Sequence, residues 1–373
     1  MAYQNVGTPR FFIDNYIYLR ALGLDPQEYI NETADINRYP DPDQVFKTPL
    51  DNENAFTLSP DTSKLFPRDS YTQRWFIPCG EMIKGMDFTG NMKWYGAILN
   101  HNFGDCNVTI ARSLFAGAVH DEDHTETHLD EDYEKILNLE SYSEQQNGSS
   151  IWSSDNIPSG ERFTGFRLAG TEDDSSLSNL QIGAVSMGVM YTMPNSADLN
   201  LTMKIEFDGY DETETASGST LTNIRQTGAS VWLNDGKYNS PFAVGEFFED
   251  KMLGGAKRNG RRTWNLKFSY IADTDLFSSN YMNTNYNETI AGYNDADLNT
   301  ENQFEYNMFT DDSFVAQVWN KTLGGALPFI FQPDSDNNNP DQFCIAKFDQ
   351  DTLSIKQVAH KTYNIAVKIR EVW

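Results

Sequence analysis

Apolar and polar residues alternate over short runs through most of the chain, a period of two that marks β-strands. Trp94, Gly96, Ile98 and Asn100 alternate with Tyr95, Ala97 and Leu99, and because both sets are largely apolar the pattern predicts a strand buried on both faces, as in a sandwich. Val108, Ile110 and Leu114 mark the next strand. Val185, Met187, Val189, Tyr191 and Met193 share one strand face; Leu199, Leu201, Met203, Ile205 and Phe207 share another, with Asn195-Ser196-Ala197-Asp198 as the turn between them. Farther along, Trp264, Leu266, Phe268 and Tyr270 alternate with Asn265, Lys267 and Ser269. Leu327 to Phe331, Phe343 to Phe348 and Tyr363 to Ile369 predict three more strands.

Helical spacing is rare. Phe12, Tyr16, Leu19 and Gly23 allow a short docking helix, while Phe11, Ile13 and Tyr16 fit a strand equally well. Asp311-Asp312-Ser313 can cap a short helix near 311–323, with Phe314, Val315, Val318 and Trp319 on one face and Gly324-Gly325 as its stop. Pro26, Pro40, Pro42, Pro49, Pro60 and Pro67 exclude regular structure over 26–70 and predict an extended arm. Ordering such an arm costs entropy that a neighbouring subunit would offset. Polar stretches at 120–134, 141–160, 209–223 and 278–303 read as loops. The resulting division is a docking segment and arm over 1–70, a β-sandwich over 71–210 and a second β-rich unit over 211–373, with an apolar Val372-Trp373 end that reads as docked.

Aromatics make up 13% of the 373 residues, enough large side chains for a sizeable core. The 54 acidic and 28 basic residues give a formal charge of −26, which argues against nucleic acid or an anionic membrane as the main partner. No apolar stretch is long enough to cross a membrane as a helix, and Met1 to Arg10 does not read as a secretion signal. Cys79, Cys106 and Cys344 are too few and too far apart for a disulfide framework or a zinc site, and read as reduced thiols in a protein made and assembled inside a cell.

Few motifs carry chemistry. His120, His124 and His128 recur every four residues among carboxylates and on a helix would share one face, a metal-ligand arrangement. The other reading is a solvated acidic loop, favoured by Thr125 and Thr127, which are poor helix formers. Asp295 to Glu301 and Asp334 to Asp341 are rich in the oxygens that calcium takes, but neither has the EF-hand glycine and glutamate. Lys257, Arg258, Arg261 and Arg262 form the one basic cluster. Its Gly-Arg-Arg lacks the Gly-Lys-Ser/Thr of a phosphate loop, so it reads as a contact for an acidic neighbouring subunit. On that reading Arg261→Glu or Arg262→Glu blocks assembly and leaves the monomer folded. No Gly-x-Ser-x-Gly elbow is present and nothing singles out a carboxylate pair, so the expectation is a protein without enzymatic activity, cofactor or catalytic residue.

Several patches resemble virion proteins of tailed phages, particularly marine ones. Gly7-Thr8-Pro9-Arg10-Phe11-Phe12-Ile13, ending near Leu22-Gly23-Leu24, is similar to a recurring start in such proteins. Trp94 to Phe103 resembles a strand and Gly-His-Asn stretch of discoidin-like, galactose-binding-like jelly rolls attached to phage tails, with Asn100 in place of the usual glycine. Ile182 to Gly188, Gly260 to Ser269, Pro328 to Asp334 and Ile369 to Trp373 look like further pieces of tail proteins, in the same order. The resemblance implies a mainly β protein: a jelly-roll-like β-sandwich combined with a β-rich tail-type domain, behind the extended proline-rich N-terminal arm. It also implies a virion location after assembly in the host cytoplasm.

The expected role is therefore that of a structural component of the tail tip or baseplate, assembling with itself as a ring or trimer and docking to other virion proteins through Lys257, Arg258, Arg261, Arg262 and Trp373. A host-glycan adsorption module is the alternative, with Tyr281, Tyr286 and Tyr293 as sugar contacts on the loop at 278–303. A capsid decoration or head-fibre role is a third. None of these roles involves nucleic-acid binding or membrane insertion.

Overall fold

The computed structural model describes residues 7–23, 64–65, 72–78, 91–101, 107–113, 127–128, 134–139, 148–154, 163–169, 181–182, 184–206, 210–224, 261–277, 312–339 and 342–372. In chain order the elements are β1 (Arg10–Asp14), α1 (Asn15–Ala21), β2 (Lys64–Leu65), β3 (Thr72–Pro78), β4 (Met92–His101), β5 (Asn107–Ser113) and β6 (Thr127–His128). There follow β7 (Glu134–Leu139), β8 (Gly148–Ser154), β9 (Phe163–Ala169), β10 (Gln181–Ile182), β11 (Ala184–Thr192), β12 (Thr202–Glu206), β13 (Tyr210–Glu214) and β14 (Thr220–Ile224). The last third holds β15 (Arg261–Ala272), α2 (Asp273–Leu276), α3 (Val315–Asn320), β16 (Phe329–Gln332), β17 (Cys344–Phe348), β18 (Ser354–Ala359) and β19 (Thr362–Glu371). The fold is mainly β and antiparallel, as the alternating pattern predicts.

Eleven strands form one sheet in the order β12-β15-β19-β17-β16-β1-β11-β4-β8-β7, with β18 also paired to β19. A four-stranded sheet (β3-β9-β5-β6) and two strand pairs (β10-β2 and β13-β14) complete the described strands. The large sheet draws on all three segments of the chain. Strand β1 lies at its middle, with Phe12 opposite Met190 of β11 on one side and Ile330 of β16 on the other. Residues 10–21 thus use both of the spacings that compete in the sequence: a strand, then a helix of about two turns. Asp14 makes the change by accepting the Ile17 N–H at 3.0 Å, a helix cap.

The sheet curls. Trp264 on β15 and Phe331 on β16 are three strands apart, roughly 14 Å in a flat sheet, yet their ring centroids lie 5.3 Å apart. Only a strongly twisted sheet brings side chains together in this way on its concave face. That face buries one core: Phe11, Trp94, Val189, Tyr191, Trp264, Leu266, Phe268, Val367 and Ile369 among others. The helix α3 plugs it, with Phe314 just ahead of the helix packing edge-on against Phe11 and Tyr191 at 5.8 and 6.0 Å. Ser313 Oγ accepts the Ala316 N–H, and Gly324 and Gly325 take positive φ where the helix stops, in agreement with the sequence reading. The helix is wider than an α-helix, and Gly324 N–H closes on Trp319 O five residues back. A second core on the opposite face gathers Phe12, Tyr95, Ala97, Leu99, Ile151, Met190, Ile330 and Ile345. Strand β4 contributes to both cores, as its two apolar faces predict.

The stretches read as loops at 120–134, 141–160 and 209–223 hold β6, β8 and the β13–β14 pair, and β2 falls within the expected arm at 26–70. Three further local expectations are corrected. Tyr270 does not continue the buried face of β15. A bulge between Phe268 and Ile271 inserts an extra residue, Tyr270 turns out at φ 61 and is exposed, and Ile271 takes the core position. Asn364 Oδ1 holds the bulge by accepting the Tyr270 N–H. Second, β11 and β12 do not fold back on each other. Met193 N–H donates to Pro9 O, Asp198 N–H donates to Lys267 O, and β12 pairs with β15 at the far edge, Thr202 opposite Asn265. The intervening residues cross the end of the concave core, where Met193 and Ala197 are buried and Leu199 is fully exposed. Third, β18 is a strand that its exposed, polar Ser354-Ile355-Lys356-Gln357 sequence does not announce.

Candidate functional site

The predicted site residues fall into two groups. His120, His124, Lys257, Arg258, Tyr281, Tyr286, Tyr293 and Trp373 lie outside the described residues, as do residues 295–301. His128, on β6, pairs with Ala111 of β5, so the backbone there is a strand rather than part of a histidine helix. Arg261 and Arg262 open β15.

Arg262 does not face outward as a free subunit contact. Its Nε and backbone N–H donate to Glu371 Oε2 at 3.1 and 3.0 Å, and its Nη2 donates to Glu371 Oε1 and to the Phe343 carbonyl. The guanidinium also sits 5.2 Å from the Trp264 ring. Glu371 is 1% exposed, so the arginine neutralises a buried carboxylate inside the same chain. The two residues lie 109 positions apart in sequence, and nothing local in either marks the pairing.

Other buried polar groups are also tied into the framework. Asp14 Oδ2 accepts the Ser186 hydroxyl at 2.7 Å, and Ser186 Oγ lies 2.7 Å from Tyr95 Oη. Burial, with the Asp14 charge adding to it, holds the Tyr95 phenol well above its usual range, so it stays protonated. The Cys344 thiol is buried and pushed up in the same way, which makes it inert. Lys321, fully buried after α3, is lowered to about 7 by desolvation.

In the described part of the oxygen-rich segment, Asp334 Oδ1 accepts the Asp336 N–H, while Gln332 Nε2 donates to Asn337 O and Asn338 Oδ1. The turn is fastened to the N-terminal segment by Ser335 N–H on Thr8 O. Gly7 fits there because a Cβ would overlap the Asp334 carboxylate. Among the described residues no group of three His, Cys, Asp or Glu is placed to hold a metal ion.

The concentration of charge that the sequence does not announce lies on the convex face of the sheet. On β19 the core takes Ile365, Val367 and Ile369, so Asn364, Ala366, Lys368 and Arg370 point the other way. Directly opposite residues in antiparallel strands share a face. Thr263 opposes Arg370, Lys267 opposes Ala366, Lys347 opposes Arg370, Lys356 opposes Asn364 and Lys204 opposes Thr263. Glu206 likewise opposes Arg261, so five strands present Lys204, Arg261, Lys267, Lys347, Lys356, Lys368 and Arg370 on one surface. Lys368 pairs with Asp349, and Arg370 pairs with Glu206 at 3.3 Å. Lys204, Lys267 and Lys356 are exposed and Lys347 half-buried. Asp198, which accepts the Ser269 hydroxyl, borders the patch. Read along the sequence these cations look scattered, because they come from five strands far apart in the chain.

Among the described residues no helix is long and apolar enough to cross a membrane. No protein-family model, curated protein or solved structure matches the chain, so the likeness to tail proteins stands on the sequence patches alone.

Proposed function

We propose that the chain is a non-enzymatic structural subunit of a tailed-phage virion, seated at the tail tip or baseplate and working by association with copies of itself and with neighbouring virion proteins. The observation that carries this reading is the use to which the fold puts its buried charges. Asp14 caps a helix and anchors the middle of the sheet, and Glu371 ties the last strand to β15 through Arg262. Groups that could have served chemistry instead lock one large curled sheet, a rigid part for an assembly. The order of the phage-like patches along the chain supports the virion location.

The test is the mass of the purified protein by light scattering, with negative-stain microscopy of the same sample. A discrete ring, trimer or growing polymer is the expected result. A monomer at every concentration that also retains glycans on an array would replace this reading with the adsorption module.

A further inference from the structure

We infer that the convex basic face of β12, β15, β19, β17 and β18 docks against an acidic surface of a second copy of this chain. The inference deepens the assembly reading and rests on it.

Charge complementarity selects the occupant. Seven cations converge on the face, against three neighbouring carboxylates, Glu206, Asp349 and Asp198. Setting those ten residues aside leaves 51 acidic residues against 21 basic ones in the rest of the chain. Outside this face the composition of a second copy is therefore strongly acidic. One such surface is the β13–β14 hairpin, where Glu212 and Glu214 are exposed. Among the described residues Lys204, Lys267, Lys347 and Lys356 form no ion pair, unlike Arg262, whose guanidinium is consumed by Glu371.

The geometry also sets the kind of contact. Two basic faces repel, so the face cannot meet itself across a two-fold axis. It must meet a different patch of the neighbour, a head-to-tail contact that closes as a ring or continues as a filament. At the centre of the face stands Ala366, with Lys267 and Ser354 directly opposite it on the flanking strands. That leaves a shallow surface rather than a pocket, fit for a protein face. Opposite charges of this kind speed encounter and fix orientation, and they weaken as salt screens them.

The experiment uses the full chain and the variant Lys204→Glu/Lys267→Glu/Lys347→Glu/Lys356→Glu, with the four Lys→Gln changes as a milder second variant. Both are followed by sedimentation velocity at about 0.1 M and about 1 M salt, between which the screening length falls from roughly 10 to 3 Å. The wild type should be oligomeric at the lower salt and dissociate at the higher. Both variants should be monomeric at the lower salt and unfold at the wild-type temperature. If the variants assemble like the wild type, self-assembly stands and this face is not its seat. If the wild type is a monomer in both buffers, the assembly reading itself fails and the inference goes with it. A labelled DNA duplex that the wild type binds and the variants release would overturn the second copy as occupant in favour of nucleic acid.

Discussion

Arg262 closes a two-pronged ion pair on Glu371, a carboxylate almost wholly removed from water, and so joins the start of β15 to the end of β19. A buried pair of this kind adds little over an apolar pair of similar volume, but losing one partner strands a charge. Arg262→Ala should cost about 3–5 kcal/mol of unfolding free energy, and Arg262→Glu more. Arg262→Lys should fall between, since an ammonium cannot reproduce the fork. The double change Arg262→Met/Glu371→Leu should recover most of the loss. Denaturant titration of the four variants measures all of this. The expectation that Arg262→Glu leaves the monomer folded is thereby reversed.

Lys321 makes stability depend on pH in one direction. Its folded pKa of about 7 lies below the unfolded value, so between pH 7 and about 8.5 the unfolded chain holds a proton that the native state lacks. Stability should therefore rise with pH over that window, by at most about 1.4 kcal/mol per unit. Above it, the raised pKa values of Cys344 and Tyr95 act with the opposite sign, because their unfolded forms ionise first. Lys321→Met should flatten the rise when denaturation midpoints are compared at pH 7 and 8.5. An unchanged slope in the variant would assign it to other groups.

Gly188 is fixed by the approach of two backbones. A Cβ there would stand 2.0 Å from the Ile13 carbonyl oxygen and 2.7 Å from the Asn15 nitrogen. Gly188→Ala must push β1 away from β11 and should destabilise by at least about 1–3 kcal/mol. Gly218, at φ 81 with open space around it, provides the comparison. Gly218→Ala should cost only the local backbone strain, of order 1 kcal/mol. Thermal unfolding of the two variants separates a packing limit from a conformational one.

Gln350 completes a ladder with its side chain. Its Oε1 accepts the Lys368 N–H at 2.8 Å, and its Nε2 donates to the Ala366 and Thr352 carbonyls. Strands β17 and β18 run along the same edge of β19 with a gap between them, and the amide fills that gap as a peptide group would. Gln350→Leu should cost about 1 kcal/mol and speed hydrogen exchange at the Lys368 amide. Unaltered protection of that amide would mean the bond contributes nothing in solution.

The strands legible in the sequence were those with aromatic or branched residues at every second position, and β4, β11, β15 and β19 stand close to where alternation places them. What escaped depends on partners distant in the chain. Tyr270 keeps the period of two, yet the bulge turns it outward, and the residue that takes over, Ile271, breaks the alternation. Strand β18 is polar because β19 supplies the core contacts for both. The pairing of β12 with β15 in place of β11 follows from the curl of the sheet, which no window of ten residues encodes. The candidate surface was less legible still. The run at Lys257–Arg262 draws the eye because its cations are close in sequence, whereas the convex face collects one or two cations from each of five separate strands.

The central position of β1 has a consequence for how the molecule is made. Phe12 pairs with Ile330, more than three hundred residues later, so β1 waits for its second partner until β16 has left the ribosome. Until then the β1 edge that β16 covers stays unpaired, and when β16 emerges the place between it and β11 suits any extended segment of like length that is apolar on both faces. The first such segment to arrive from a crowded neighbour is that neighbour's own Arg10–Asp14. Exchange of β1 between nascent copies is thus the built-in folding hazard of this architecture, and it grows with the concentration at which the chains are synthesised.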